Sequence, residues 1–195
     1  MVEAKRALRK RIMTERDALP ADVRADWSAR IRARAIELPA YQSARVVHCF
    51  VSIQSEVETH PLIEHALAHG KRVAAPLFVK GSSETAAYEV ETLDAASYVT
   101  GDFGLAVPRN LKRIDLDTID LFFVPLLAFA PVTVRGDGGT STLKYSRLGY
   151  GIAYYDRLLV CSPGRRVGLA FELQRVESVP MAEHDQLLDC VLTEK

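Results

Sequence analysis

Apolar residues in the leading segment recur every three or four positions, whereas later in the chain they gather into short continuous runs. "VEAKRALRKRIMTERDAL" sets Ala4, Leu8, Ile12 and Leu19 along one stripe and predicts an amphipathic helix that ends before Pro20. "ADVRADWSARIRARAIEL" predicts a second, with Val23, Trp27, Ile31 and Ile36 on or near one face. The pattern then changes. "RVVHCFVS" (45–52) reads as a buried strand, and "HPLIEHALAH" as a helix capped by Thr59, entered through Pro61 and stopped at Gly70. "KRVAAPLF" (71–78) is the next strand. Strand, helix and strand in so short a span form a βαβ unit, which implies a parallel sheet with helices packed on it.

"IDLFFVPLL" (119–127) has the unbroken apolar run of a central strand covered on both faces. A stretch rich in Gly, Ser and Thr, "APVTVRGDGGTSTLKYS" (130–146), follows and reads as a long loop, mobile or functional. "RLGYGIAYYDRLL" (147–159) turns into a helix through Leu159, and "RRVGLAFE" and "DCVLTE" supply two further strands. The expectation is a single α/β domain over 1–195, with residues 1–38 as a helical segment packed on it. A chain of this length buries enough surface to need no disulfide or metal staple.

Charge alters this picture in one respect. The formal net charge is zero, yet residues 1–45 carry 11 Lys/Arg against 6 Asp/Glu, and the remainder carries the opposite imbalance. A basic leading segment suits nucleic acid, an acidic membrane surface, a polyanionic small molecule, or simply water around a solvated helix face. Cys49, Cys161 and Cys190 show no CxxC spacing, so neither a zinc knuckle nor a thioredoxin-like motif is present. No apolar run reaches 18 residues and the N-terminus lacks a signal-peptide core, which makes a reducing, cytoplasmic setting the expectation.

Three stretches carry candidate chemistry. Gly149 and Gly151 permit backbone amides to approach a ligand, Arg147 and Arg157 bracket them, and Asp156 offers a carboxylate to Mg²⁺. The same residues suit a plain turn whose tyrosines enter the core, and no GxxxxGK[ST] phosphate loop exists. Lys5 and Arg9 in "KRALR" stand one turn apart on one helix face, as a polyphosphate or water would allow. "SIQSEVET" (52–59) leaves the end of a strand, where ligands of open parallel sheets sit, and places Glu56 there. His65 and His69 are spaced i, i+4 without the Glu of an HExxH motif and read as surface residues.

"KRALR", "SIQSEVET", "VPLLAFA…RLGYGIAYYDRLL" (124–159) and "VGLAFELQRVESVPMAEHDQLLDCVLTE" (167–194) occur in an order and at separations that resemble the 5-formyltetrahydrofolate cyclo-ligase family. "GDFGLAVP" (101–108) is similar to a weaker signature of that family. The resemblance implies a three-layer α/β fold, mostly parallel with helices on both faces, like that of the ribose-phosphate isomerase and CoA-transferase group. It also implies ATP- and Mg²⁺-dependent closure of 5-formyltetrahydrofolate to 5,10-methenyltetrahydrofolate. On that reading Lys5 and Arg9 bind phosphate. Arg147, Leu148, Gly149, Tyr150, Gly151, Ile152, Ala153, Tyr154 and Tyr155 form the ATP loop, with Tyr150 to Tyr154 also facing the folate. Val51 and Glu56 contact the folate, and Asp156 and Asp185 lie near the metal. Arg147, Tyr154 and Asp156 are the catalytic candidates.

The chain departs from the family pattern at several points. Ile152 and Ala153 stand where the family's loop usually has further glycines, and their Cβ atoms narrow the approach of backbone to phosphate. Ala130 replaces the aspartate of the family's "AFD", and Val107 stands where the weaker signature often has an acid. The run from Ala130 to Ser146 exceeds the family's short connection and forms either a lid or a disturbance of the site. The expected partner is a reduced folate, with no nucleic acid and no membrane, and the expected state is a monomer. The alternative to catalysis is a diverged member that binds folate or nucleotide without turning it over.

Overall fold

Both amphipathic helices form, α1 over Val2–Asp17 and α2 over Ala21–Glu37, with Pro20 as the residue that caps the second. The computed structural model describes residues 2–77, 85–100, 106–136 and 140–195. A short α3 (Pro39–Ser43) begins at its proline and leads into β1 (Val46–Cys49). Then follow α4 (His60–Ala68), β2 (Arg72–Leu77), β3 (Ala86–Val90), β4 (Tyr98–Thr100), β5 (Ala106–Pro108) and β6 (Arg113–Ile114). The remainder consists of β7 (Leu121–Pro125), β8 (Ala128–Arg135), β9 (Ser141–Leu148), α5 (Tyr154–Val160), β10 (Arg165–Leu169) and β11 (Cys190–Leu192).

Seven strands form the main sheet in the order β11-β10-β7-β1-β2-β3-β6. The pairs from β11 through β2 are parallel, and β3 and β6 add an antiparallel edge. The parallel part follows from the βαβ unit read in the sequence; the antiparallel edge and the β4–β5 ribbon come from residues 85–118, where the sequence signalled no strand.

Register explains why the central strands are apolar throughout. His48 lies opposite Phe122, and Cys49 opposite Phe123. Successive side chains alternate between the faces of a sheet, so these pairs face opposite ways. On one face the Tyr41 ring of α3 packs 6.1 Å from Phe123. On the other, Tyr155 of α5 meets His48 edge-on at 5.7 Å and Phe122 stacks on that imidazole at 5.1 Å. Both faces are therefore covered by helices. Phe122 and Phe123 are wholly buried, and leaving water stabilises the fold by about 2 kcal/mol for each ring. Burial also holds His48 neutral, lowering its pKa to about 3.

The stretch 130–146 is not a loop. β8 and β9 form a two-stranded antiparallel hairpin, registered from Ala128 opposite Leu148 to Arg135 opposite Ser141. Val132, Thr133, Val134 and Thr142 are β-branched and fit a pleated strand, while the glycines that suggested a loop gather at the far end. Residues 137–139 there lie outside the described residues. Ala130, at the buried base of the hairpin, is 1% exposed, and its carbonyl accepts from Ser146 at 3.1 Å. In the "GDFGLAVP" signature, residues 101–105 also lie outside the described residues, and Val107 belongs to β5.

Candidate active site

The site begins with the pitch of α1. Lys5, Arg9, Ile12 and Arg16 recur at intervals of four, three and four residues and so share one helix face. Ile12 is completely buried in an apolar cluster with Leu127, Ala128 and Leu148. That contact clamps α1 onto the base of the hairpin and aims the flanking cations at the loops beyond it. Arg9 Nε donates to the Gly149 carbonyl at 2.8 Å.

Each glycine of the turn has its own reason. Gly151 has φ +104°, in the region side chains disfavour, and a Cβ there would meet Arg9 Cζ at 3.3 Å. At Gly149 a Cβ would come within 2.8 Å of Arg147 Nη1. Gly149 thus admits the guanidinium of Arg147 from β9, and Gly151 that of Arg9 from α1. Ala153 takes φ +50° where glycine would be unstrained, while Ile152 carries none of this strain and is exposed.

Arg147 is buried, and its Nη2 donates to Asp156 Oδ1 at 2.8 Å. Nη1 reaches the Pro125 carbonyl at 3.4 Å, and Nε is buried without a partner. Asp156 Oδ1 also accepts from the Gln186 amide at 3.1 Å. The neighbouring Asp185 uses Oδ2 for the Lys5 ammonium and for the Ala182 amide at 2.8 Å. Burial pushes Asp185 up, yet Lys5 and that amide outweigh it and hold the carboxyl below its ordinary value. Among the described residues Asp156 Oδ2 and Asp185 Oδ1 accept no hydrogen bond, although His184 Nε2 stands 3.7 Å from the latter. No group of three or more His, Cys, Asp or Glu suited to a metal occurs among the described residues.

Opposite the turn stands the loop that leaves β1. Thr59 does not cap α4 with its side chain; Oγ1 donates to the Phe50 carbonyl at 2.6 Å and accepts from the Ser52 amide at 2.9 Å. The loop is thereby tied across its neck. Within it Gln54 takes φ +52°, and Glu56 Oε2 accepts from the Ile53 amide at 3.0 Å. Tyr150 donates its phenol to Glu56 Oε1 at 2.6 Å, joining this loop to the turn. Burial raises the pKa of Glu56, and its bonds to Tyr150 and Ile53 and the charge of Arg16 only partly offset the rise. Gln54 and Ala153, the two described non-glycine residues with positive φ, lie in the two segments that the Tyr150–Glu56 bond joins, as strained backbone at functional sites commonly does.

Tyr154 is buried, donates to the Ala86 carbonyl and accepts from the Leu77 amide at 3.2 Å, which pins the facing ends of β2 and β3. Tyr155 enters the core beside His48 and does not line the cleft, because the αL residue Ala153 turns its helix face inward. Leu148 is likewise core, and its carbonyl accepts from the Leu127 amide. Val51 is half-buried at the β1 end of the loop. The structure therefore joins Arg9 to the turn at Gly149, Tyr150 of that turn to Glu56, Lys5 to Asp185 and Arg147 to Asp156, and takes the side chains of Leu148, Tyr154 and Tyr155 into the interior.

Arg16 has no place in the sequence reading beyond being one more cation on a basic helix. It is 2% exposed, with Nε on Ser55 Oγ and Nη2 on the Tyr150 phenol, both at 3.0 Å. Its signal was its phase, seven residues after Arg9 on the same face. With Glu56, Pro125, Leu169 and Gln174 it lines a narrow cleft at the carboxyl ends of β1, β7 and β10. That is the topological switch point, where β1 continues to β2 on one side and meets β7 on the other.

The sequence profile of the 5-formyltetrahydrofolate cyclo-ligase family matches residues 1–194. The 5-formyltetrahydrofolate cyclo-ligase of Mus musculus is 30% identical over 203 residues, covering 98% of this chain and 94% of that protein. The enzyme of the same name from Escherichia coli K12 is 28% identical, over 93% of this chain and 96% of its own. The NMR structure of Aquifex aeolicus 5,10-methenyltetrahydrofolate synthetase superposes with a TM-score of 0.78 at 29% identity, over 98% of this chain and 90% of that one. A Mycoplasma pneumoniae 5,10-methenyltetrahydrofolate synthetase shares the fold at a TM-score of 0.72 and 20% identity, over 98% and 99% of the two chains. The chain belongs to the 5-formyltetrahydrofolate cyclo-ligase family.

Proposed function

We propose that this protein converts 5-formyltetrahydrofolate to 5,10-methenyltetrahydrofolate at the expense of ATP, releasing ADP and phosphate. The observation that carries the proposal is the meeting of α1, the turn and the Glu56 loop. Arg9 contacts Gly149 at 2.8 Å, and Tyr150, next in sequence, contacts Glu56 at 2.6 Å. A cationic helix face and a carboxylate thus flank one exposed turn, which suits a polyphosphate on one side and a hydrogen-bond donor such as a pterin edge on the other.

The residues fit a magnesium nucleotide. Lys5 and Arg9 supply positive charge beside backbone made accessible at Gly151, and both can exchange neutral or intramolecular partners for phosphate oxygens. Asp156 Oδ2 and Asp185 Oδ1, the latter 3.7 Å from His184 Nε2, are the carboxylate oxygens offered to Mg²⁺, which commonly takes one or two when phosphates complete its shell. When bound, MgATP supplies a γ-phosphoryl that turns the formyl oxygen into a leaving group. Folate N10 then bonds to the formyl carbon, the C–O bond breaks, and phosphate departs with the oxygen and the N10 proton. Such chemistry rests on positioning and charge neutralisation rather than on a protein nucleophile. Here Arg147 holds Asp156, Arg9 and Lys5 neutralise phosphate, and Glu56 orients the folate. We assign the protein to the cytoplasm, where its three unpaired thiols are ordinary.

The test is direct. Purified protein with MgATP and 5-formyltetrahydrofolate should develop the absorbance of 5,10-methenyltetrahydrofolate and release ADP. Binding of either ligand with no product would instead favour a diverged binding protein, the reading suggested by the strained Ala153 and the missing carboxylate at Ala130.

A further inference from the structure

Arg16 is a buried cation that forms no ion pair among the described residues. Its guanidinium donates to two neutral hydroxyls, Ser55 and Tyr150, each at 3.0 Å. Burying a charge is costly unless it is fully hydrogen-bonded, and an apolar residue would fill this helix position at lower cost. The partners suggest why a cation stands here. Ser55 immediately precedes Glu56 and passes its own proton to Asp17. Tyr150 occupies the turn and passes its proton to Glu56. One planar fork therefore spans two separate loops and sets the direction of two hydroxyl protons. Because Tyr150 accepts from Arg16, its own proton is committed to Glu56.

We propose that Arg16 is a positioning residue for the cyclo-ligase reaction, fixing the Glu56 carboxylate and the Tyr150 turn at the separation that the folate requires. The proposal rests on the function assigned above. It also accounts for residue type. Lysine carries a point charge on a flexible stem, whereas arginine offers donors in a fixed plane that can hold two acceptors at once. The groups that act on the Glu56 carboxylate are the Arg16 guanidinium from α1, the Tyr150 phenol from the turn, the Ile53 amide from its own loop and, from α5, the buried Tyr155 phenol. Removing Arg16 takes away a positive charge that lowers the carboxyl's pKa, so the carboxyl should protonate at higher pH.

The experiment compares wild type, Arg16→Lys and Arg16→Met, with Tyr150→Phe as the variant that removes the shared phenol while leaving the buried cation. Steady-state kinetics give KM separately for 5-formyltetrahydrofolate and ATP, calorimetry gives folate affinity, and thermal melts report folding. A hydrogen bond to a charged group contributes about 1.5–3 kcal/mol, so its loss corresponds to tenfold or more. Arg16→Lys should raise the folate KM and the calorimetric Kd by about tenfold with the ATP KM within twofold of wild type. Arg16→Met should also shift the acid limb of kcat/KM for folate to higher pH. Tyr150→Phe should reproduce the folate defect, with the ATP KM again within twofold of wild type. An Arg16→Lys protein with wild-type folate affinity overturns the proposal, as does a defect shared equally by folate and ATP that tracks the fall in melting temperature. A wild-type protein that binds folate but makes no product would refute the assigned reaction alone. If it binds no folate, both readings fall together.

Discussion

Lys5, in the first helix, and Asp185, 180 residues further on, form an ion pair whose side chains are only 14% and 10% exposed. The pair closes the chain upon itself at the point where the phosphate and metal groups are proposed to lie. Lys5 had the look of an exposed cation in the sequence; in the structure it already has a partner. Lys5→Ala should therefore lower stability as well as ATP use. The expected effects are an ATP KM about tenfold higher and a melting temperature about 2–4 °C lower, corresponding to roughly 1 kcal/mol. A variant with lowered melting temperature but unchanged ATP KM would make the pair purely structural.

Asp156 and Asp185 should separate in stability while agreeing in metal dependence. Asp156 faces Arg147, whose side chain is 4% exposed and cannot reach water. Asp156→Asn leaves that buried cation without its anion, a change that costs about 3–5 kcal/mol. Asp185→Asn leaves Lys5, whose flexible stem can lift the ammonium into water, and should cost less. Both variants should need more Mg²⁺ for half-maximal rate. Unchanged Mg²⁺ dependence in either would remove that residue from the metal site, and equal loss of melting temperature would contradict the Arg147 argument.

The strain at Ala153 predicts a stabilising substitution. An alanine at φ +50° costs about 1–2 kcal/mol relative to its preferred regions, and glycine there relinquishes about 0.4–1 kcal/mol through the looser unfolded chain. The balance favours Ala153→Gly by under about 1 kcal/mol, a rise of a few degrees at most in the melting temperature. A lower melting temperature would show that the Cβ packs usefully enough to outweigh its backbone.

Acid stability should depend on Glu89, far from the cleft on β3. Arg72 bonds to it at 2.8 Å and Lys112 at 2.7 Å, and these bonds lower its pKa from 4.5 to about 2. A carboxyl held low in the folded state contributes stability above its unfolded pKa, and loses it as pH falls through the folded value. Between about pH 4.5 and 2, the wild type should therefore lose stability that Glu89→Gln never had. Parallel pH curves for the two proteins in that range would contradict it.

What the sequence made legible was what local pattern encodes. Periodicity marked α1 and α2, continuous apolar runs marked β1 and β7, and Gly149 and Gly151 marked the turn. The hairpin of β8 and β9 was obscured because its β-branched residues are interleaved with turn-forming ones, so composition argued for a loop while geometry made strands. Tyr154 and Tyr155 lie inside a motif whose neighbours face the cleft, but motif membership does not encode side-chain direction. Arg16 was hidden for a different reason. A buried arginine is recognisable only once its partners, Ser55 and Tyr150, are brought to it by the fold.

The central claim is that the cationic face of α1 and the turn at 149–153 hold the triphosphate together, and Arg9 is where they touch. Calorimetric titration of a non-hydrolysable ATP analogue with Mg²⁺ into wild type and Arg9→Met tests this most directly, since Arg9 pairs with a backbone carbonyl rather than a buried acid and its loss should spare the fold. Wild type should bind, and the variant should bind at least about tenfold more weakly, with melting temperatures alike. Superimposable isotherms for two equally folded proteins would contradict it.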